Sequence, residues 1–447
     1  MRQLQTVEEK LAKYIVRTGY TFLSSADILD IKFKVLDWLG CALHGADYSQ
    51  AIIAKKWAQR YGKEGTAFIL GERKRYTPDI AAFVNAVMGH VCEFDDGHRL
   101  AIGHPGAVVI PVALSFAAIK ALNVTGEDFI AAVSVGYEIF ARIGACMNPR
   151  HYECFHTTGT VGCLAAMGTA AYLLKLHEEE VRNAVGLAAT MSAGLVNTFG
   201  TDGKVLNVGQ ACMNGIKAAE LAKLGFSGPH DALTGDKGFI RAFAGSNHVS
   251  YLDFDDKKPA YVTSSFYKKY ASCGHTHASL DLIFKMLSDT TIDVNSITTI
   301  AVETYQVAVQ LTGTFKNTSE KEAKFSIPYC LAVSLKYQNV GLQQFEEAVL
   351  HDGDVIALGN KILVTEDAEA TKCFPKRRCT IKITFKDGHV LQDHIEDVCD
   401  TPDYSYLQRK FTSLAQGKLR AADTFFYNAI ENLDEDLSKL LDALTDI

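Results

Sequence analysis

Within its 447 residues the sequence has no CxxC pair, no glycine-rich nucleotide fingerprint and no GxSxG elbow. Each absence removes a class of function. The eleven cysteines are scattered and odd in number, which reads as buried or free thiols in a reducing compartment rather than a disulfide frame or zinc site. Without a Walker A or GxGxxG stretch between strand and helix, nucleotide cofactors are not indicated. Without the elbow there is no sign of a hydrolase nucleophile on a strand-to-helix turn. An excess of positive charge is also missing. The net charge of −7 and pI near 6.1 leave no electrostatic footprint for nucleic acid or anionic membrane. No apolar run reaches the ~18 to 20 residues of a membrane span, and MRQLQTVEEKLAKYIV reads as a charged amphipathic helix rather than a signal peptide. The expectation is a soluble, cytoplasmic protein without nucleic-acid or membrane partners.

What is present is a globular, helix-rich chain. Its 48% apolar and 22% charged residues belong to an ordered protein, and its length suggests about two or three domains. Period-3.6 patterning runs from residue 5 to about 265, with helices expected at 27–45, 79–93, 106–122, 126–147, 160–176, 178–195, 208–224 and 236–244. Thr125 with Asp128 has the form of an N-cap and a first-turn acid. Near Tyr267 the period changes to two. Ile297–Leu311 and Lys361–Glu366 read as strands, and Arg378–Phe385 and His389–Ile395 flank the hairpin signal Asp387-Gly388. Helices are expected between them at 277–287 and 325–337. From Tyr404 the helical period returns, ending in one long helix over AADTFFYNAIENLDEDLSKLLDAL. The fold class is therefore mainly α: a large all-helical domain over 1–266, an inserted smaller α+β lid over 267–402, and C-terminal helices over 403–447 returning to the first. Helices as apolar and rich in small residues as 160–176 and 183–195 belong in a core or at a two-fold interface, and a homodimer is expected.

The chemistry gathers in VCEFDDGHRLAIGHPGAVVIP, 91–111. Glu93, Asp95, Asp96, His98, Arg99 and His104 fall within twelve residues between two apolar helices. A solvated loop would explain the acids alone, but less well an imidazole delivered at the start of a buried helix. Four other stretches put polar groups beside apolar helices. FHTTGTVG, 155–162, places His156 and Thr158 where a helix begins, so that exposed N–H groups favour a carboxylate or phosphate. TDGKVLNVGQA, 201–211, carries Lys204. FYKKYASCGHTHASLD, 266–281, carries Lys268, Lys269, His275 and His277; its HxH could bind a metal, though no second ligand pair has metal-like spacing. EKEAKFSIPYC, 320–330, is a charge cluster ending at a helix. Histidines and lysines without nucleophile or cofactor motif suit proton transfer on a small acid with several carboxylates. A metallohydrolase using Asp95, Asp96, His98 and His104, and a non-catalytic small-anion binder, are the readings from other classes.

Taken in order, EFDDGHRLAIGHPGAVVIPVAL, FHTTGTVGCLAAMGTAA, TDGKVLNVGQACMNGIKAAELAKLGFSGP, FYKKYASCGHTHASLD and EAKFSIPYCLAVSL resemble the MmgE/PrpD family over essentially the whole chain. Members of that family include 2-methylcitrate dehydratases, cis-aconitate decarboxylases and iminodisuccinate epimerases. The resemblance implies a helical domain plus an α+β lid with the site between them, a homodimer, and catalysis with no cofactor and no metal. It carries catalytic roles onto His104, His156, Lys204, His277 and Asp95, with Glu93, Asp96, Arg99, Thr158, Lys268 and His275 expected to bind substrate. Glu93 stands where the decarboxylases have aspartate, Gly97 where they have threonine, Asn207 where histidine is usual, and Gly274 where many relatives have arginine. The expectation is a lyase of the 2-methylcitrate dehydratase type acting on a small di- or tricarboxylate, with decarboxylation or epimerisation as alternatives. His104 and His156 are expected to move protons, Lys204 to hold a carboxylate, His277 to close the site, and Asp95 and Asp96 to orient His104 or its neighbours.

Overall fold

In the computed structural model, described here over residues 5–245, 249–254, 261–398, 403–419 and 423–445, most residues are helical. Contacts divide the chain into two compact units: 1–267 with 402–447, and 268–401. The first unit is helical apart from two short pairs of strands. Local sequence explains where its helices begin. Thr6 with Glu9, Ser24 with Asp27 and Thr125 with Asp128 form reciprocal capping boxes, so each satisfies two otherwise orphaned N–H groups.

The apolar helices Pro78–His90, Gly106–Ala117, Gly126–Met147, Thr157–Leu173 and Gly203–Lys223 pack together as the core. Thr157–Leu173 has nearly every residue buried, as an all-round apolar helix requires. Gly126–Met147 is long and apolar enough to match a membrane span, contrary to the expectation that no run is, and its most apolar stretch lies wholly buried in this core. It also carries the buried ion pair of Glu138 and Arg142 at 2.7 Å. The C-terminal helix Tyr404–Ala415 packs on the long helix Ser25–Gly45. Beyond it, two helices, Asp423–Glu431 and Leu437–Thr445, replace the single one expected; the Asn432-Leu-Asp-Glu-Asp436 stretch interrupts them, its amides bonded back to Asn428, Ile430 and Asn432.

The second unit has a four-stranded sheet in the order Ile362–Glu366, Ile297–Thr304, Cys379–Phe385, Val390–Ile395. The first pair is parallel and the other two are antiparallel. Gly388 supplies the positive φ (+84°) of the Asp387-Gly388 hairpin. Helix His277–Asp289 lies against the two hairpin strands, and Ile327–Tyr337 packs beside it. The long strand expected over 297–311 is shorter. It stops at Thr304, and Gln306–Thr312 turns into a helix. The apolar residues of VAVQL fit both periods, so alternation alone could not place the break. The ten described cysteines form no disulfide.

Candidate active site

The loop after helix Pro78–His90 is not a solvated one. Glu93, Asp95, Asp96 and His98 are each buried, so their charges must be met by protein groups. His90, the last residue of that helix, is the hub. Its Nε2 lies 3.0 Å from Lys204 Nζ and its Nδ1 lies 2.8 Å from Asp95 Oδ2. An ammonium can only donate, so Nε2 accepts and the proton sits on Nδ1, donated to Asp95. Lys204, in the first turn of helix Gly203–Lys223, also forms an ion pair with Glu93. Glu93 holds this place with a left-handed φ of +54°, a conformation that a β-carbon disfavours and that persists where surrounding contacts dictate it.

His104 and His156 flank His90, with ring centroids 4.8 Å and 6.2 Å from it. His104 donates from Nδ1 to the Asp96 carbonyl at 2.6 Å, and its backbone N–H donates to Thr158 Oγ1 at 3.2 Å. With Nδ1 carrying the proton, the basic lone pair of His104 is on Nε2. His156 is the N-cap of helix Thr157–Leu173. Its Nδ1 accepts from Asn207 Nδ2 at 3.3 Å, while Nε2 has no protein partner among the described residues. Burial, then the nearby Lys204 ammonium, push its basicity well below the ordinary histidine value, so His156 stays neutral. The two histidines therefore differ: one offers a lone pair at Nε2, the other an N–H.

The supports beneath the loop come from distant segments. The two oxygens of Asp96, a residue expected to orient His104 or its neighbours, accept from Gly106 N–H (3.1 Å) and Tyr137 O–H (2.8 Å), anchoring the His-Pro-Gly turn from below. A β-carbon at Gly106 would lie 2.6 Å from that hydroxyl, which is why the turn ends in glycine. Thr158 Oγ1 accepts the backbone N–H of His104. Arg99 is half-buried in the turn that follows His98, its carbonyl accepting from Ile102 N–H. His98 is buried between Ser264 Oγ (2.8 Å) and the Ala101 N–H, and burial takes its pKa down to about 3. Lys410, from the C-terminal helix, donates to the Phe94 carbonyl at 2.6 Å and pairs with Asp37 at 2.7 Å.

Burial pushes Asp96 up to about 7, which makes a stability prediction. A carboxyl with a raised folded pKa binds more protons folded than unfolded. Its contribution is complete below the unfolded value and is lost as pH rises through about 7. Asp96→Asn keeps an oxygen for Gly106 and offers an N–H to the Tyr137 oxygen. The variant's Tm should fall less than the parent's between pH 5 and pH 8; an equally steep fall would assign the slope to other groups.

In the second unit, Lys268, His275, His277 and Arg377 are all buried. His275 Nδ1 is 2.8 Å from Tyr305 Oη, and Arg377 donates to the Gly274 carbonyl at 2.9 Å. Burial, then Arg377 and Lys268, hold His275 at about 3, and burial, then Lys268 and Arg377, hold His277 well below its ordinary value. His277 opens helix His277–Asp289.

Within the first unit, then, the structure gathers Glu93, Asp95, His104, His156 and Lys204 around His90. Sequence reasoning missed His90, although it is the one ionisable residue in the apolar run Ile80–Val91 and stands three residues before Glu93. It also missed Lys410, Tyr137 and Arg377, which no local pattern marks. His90, Asp95 and His104 place potential ligand atoms within 4.8 Å of one another. Their donor chemistry fits a metal poorly. Both Nδ1 atoms carry protons committed to oxygen acceptors, and the Lys204 ammonium occupies His90 Nε2.

The profile of the MmgE/PrpD N-terminal domain matches residues 9–252, and that of the MmgE/PrpD C-terminal domain matches 270–434. A cis-aconitate decarboxylase of Homo sapiens is 26% identical over 87% of this chain and 83% of its own length. A cis-aconitate decarboxylase-like protein of Aspergillus oryzae is 27% identical over 82% of this chain and 81% of its own. A cis-aconitate decarboxylase of Aspergillus terreus is 26% identical over 83% and 81% respectively.

Proposed function

Since the chain belongs to the MmgE/PrpD family, we propose that it is a lyase that creates or quenches negative charge on the carbon α to a carboxylate of a small di- or tricarboxylate. The observation that carries this reading is the different partner of two histidines flanking one hub: His104 Nδ1 faces a carbonyl oxygen, which leaves a lone pair at Nε2, and His156 Nδ1 faces the Asn207 amide nitrogen, which leaves an N–H at Nε2. That pairing suits a carbanion stabilised as an enediolate. His104 moves the proton at carbon, and neutral His156 donates a hydrogen bond to the oxygen where charge develops. Lys204 supplies fixed positive charge for a carboxylate.

The relatives favour decarboxylation of the cis-aconitate type over dehydration. In that reaction the allylic carboxylate leaves as CO₂, its C–C electron pair becomes the new double bond, and the old π pair takes a proton from the protonated His104 at the carbon α to the terminal carboxylate. Dehydration of the 2-methylcitrate type is the second reading, supported by Glu93 and Gly97 standing where decarboxylases carry aspartate and threonine. There His104 Nε2 takes the α-proton, and the β-hydroxyl takes a proton from a second acidic group and departs as water. Both share the enediolate. The family resemblance gives His277 a catalytic role and assigns Lys268 and His275 to substrate binding; His277→Ala should lower kcat/KM for the same acid.

The test is a screen of citrate, methylcitrate, cis-aconitate and iminodisuccinate by NMR in deuterated water. Conversion of cis-aconitate with one deuterium placed α to a carboxylate is the expected result. Conversion of methylcitrate alone would select dehydration. No conversion and no Cα exchange with any of the four would overturn the reading.

A further inference from the structure

We propose that Asn207 is a positioning residue that fixes the proton of His156 on Nε2, making that histidine a donor to the substrate rather than a base. The inference rests on the enediolate reading above, because that chemistry gives the donor its acceptor.

The chain of hydrogen bonds leaves one assignment. Thr198 Oγ1 donates to the Leu195 carbonyl at 2.6 Å, closing the short helical turn Val196–Thr198. A hydroxyl has one proton. With it spent there, Thr198 Oγ1 can only accept from Asn207, which approaches at 3.1 Å. That orients the amide with its NH₂ group toward Thr198, and the second amide proton points to His156 Nδ1 at 3.3 Å. The reversed amide would face the Thr198 lone pairs with its own oxygen, so the orientation follows from the network. An imidazole nitrogen that accepts cannot carry the proton, so the neutral ring carries it on Nε2. That nitrogen is buried and donates to no protein atom among the described residues.

A buried donor without a partner destabilises the fold if nothing ever meets it. A site that keeps one beside a lysine and a second histidine is equipped for an anionic oxygen. Asn207 reaches the ring because Gly159, in the first turn of the helix that His156 caps, has no side chain; a β-carbon there would lie 3.1 Å from Asn207 Cβ and 2.6 Å from the Ala193 carbonyl. An amide, unlike a histidine at the same place, has one protonation state across the working pH range, so the donor is always of one kind.

The experiment measures the tautomer directly. Protein labelled with ¹⁵N-histidine is examined by long-range ¹H–¹⁵N correlation, and the His156 signals are assigned as those absent from His156→Gln. The parent is expected to show Nδ1 unprotonated and Nε2 protonated. Asn207→Asp places an acceptor where the donor was, so the proton should move to Nδ1, and kcat on the acid identified by the screen should fall ~10²-fold, the usual worth of one oxyanion donor, with KM changed far less. Should the half-buried carboxylate prevent folding, Thr198→Val serves instead. It frees the amide to reverse, and a mixture of the two tautomers is expected. A parent protein with the proton on Nδ1, or an unchanged tautomer in the variant that folds, overturns the proposal. So does a reversed tautomer with parental kcat. The spectra need no substrate, so a silent screen would defeat the functional reading while leaving the assignment of Asn207 decided on its own.

Discussion

Replacing His104 by glutamine is expected to lower kcat by ~10²–10⁴-fold with little change in KM, the usual loss when a general acid or base is removed. Glutamine has similar reach, and its amide N–H can still meet the Asp96 carbonyl that now accepts from Nδ1 at 2.6 Å. What it lacks is a nitrogen that takes up and releases a proton near working pH. The ring is 16% exposed in its side chain, whereas His90 is fully buried, so of the two it is the one a substrate can meet. His90 is also spoken for, with one nitrogen on Asp95 and the other on Lys204. The deuterium assay sharpens the expectation. In the variant, solvent exchange at Cα should be lost together with turnover, because both use the same proton. A variant that keeps near-parental kcat places the proton on another group. A variant that keeps exchange but loses turnover moves His104 from the protonation of carbon to the departure of CO₂ or water.

The parts of this molecule that were legible beforehand share a property: their signal is local. Capping at Thr125, the Asp387-Gly388 hairpin and most helices follow from periodicity and neighbouring residues. So does the concentration of function around 93–104, since six ionisable groups between two apolar helices make an unlikely surface loop. What stayed hidden depends on partners far along the chain. Asp96 shows what it holds only when Tyr137, forty-one positions on, takes one of its oxygens. Lys410 looked like any helix lysine, yet it holds the Phe94 carbonyl across 316 positions. His90 was read as the end of a buried helix, and burial is indeed its condition. Only the folded geometry shows that its two nitrogens join Asp95 to Lys204. The tautomers are the extreme case. Residue types gave two histidines with interchangeable roles, and the difference between them lies in whether the atom facing Nδ1 is a carbonyl oxygen or an amide nitrogen.

Lys204→Met is expected to raise KM on the order of 10- to 100-fold, and to lower Tm, while kcat falls much less than in His104→Gln. Two effects are combined, and they can be separated. In the proposed reaction the ammonium is the fixed charge offered to a substrate carboxylate, and a hydrogen bond to a charged group is worth about 1.5–3 kcal/mol. It is also the counter-charge of Glu93, which is buried. Removing one partner of a buried pair costs ~3–5 kcal/mol, because the other charge is left without compensation. Glu93 would then be both a destabilising charge and a repulsive one for an anionic substrate. Adding Glu93→Gln removes that second effect and leaves the first. The double variant should therefore recover most of the lost Tm while its KM stays well above the parent's, since no cation has been restored. If the double variant regained parental KM, Lys204 would serve only to neutralise Glu93, and the substrate's carboxylate would have to be held elsewhere. If instead Lys204→Met abolished kcat at unchanged KM, the lysine would belong to the proton-transfer step, and the fixed-charge role assigned to it here would be wrong.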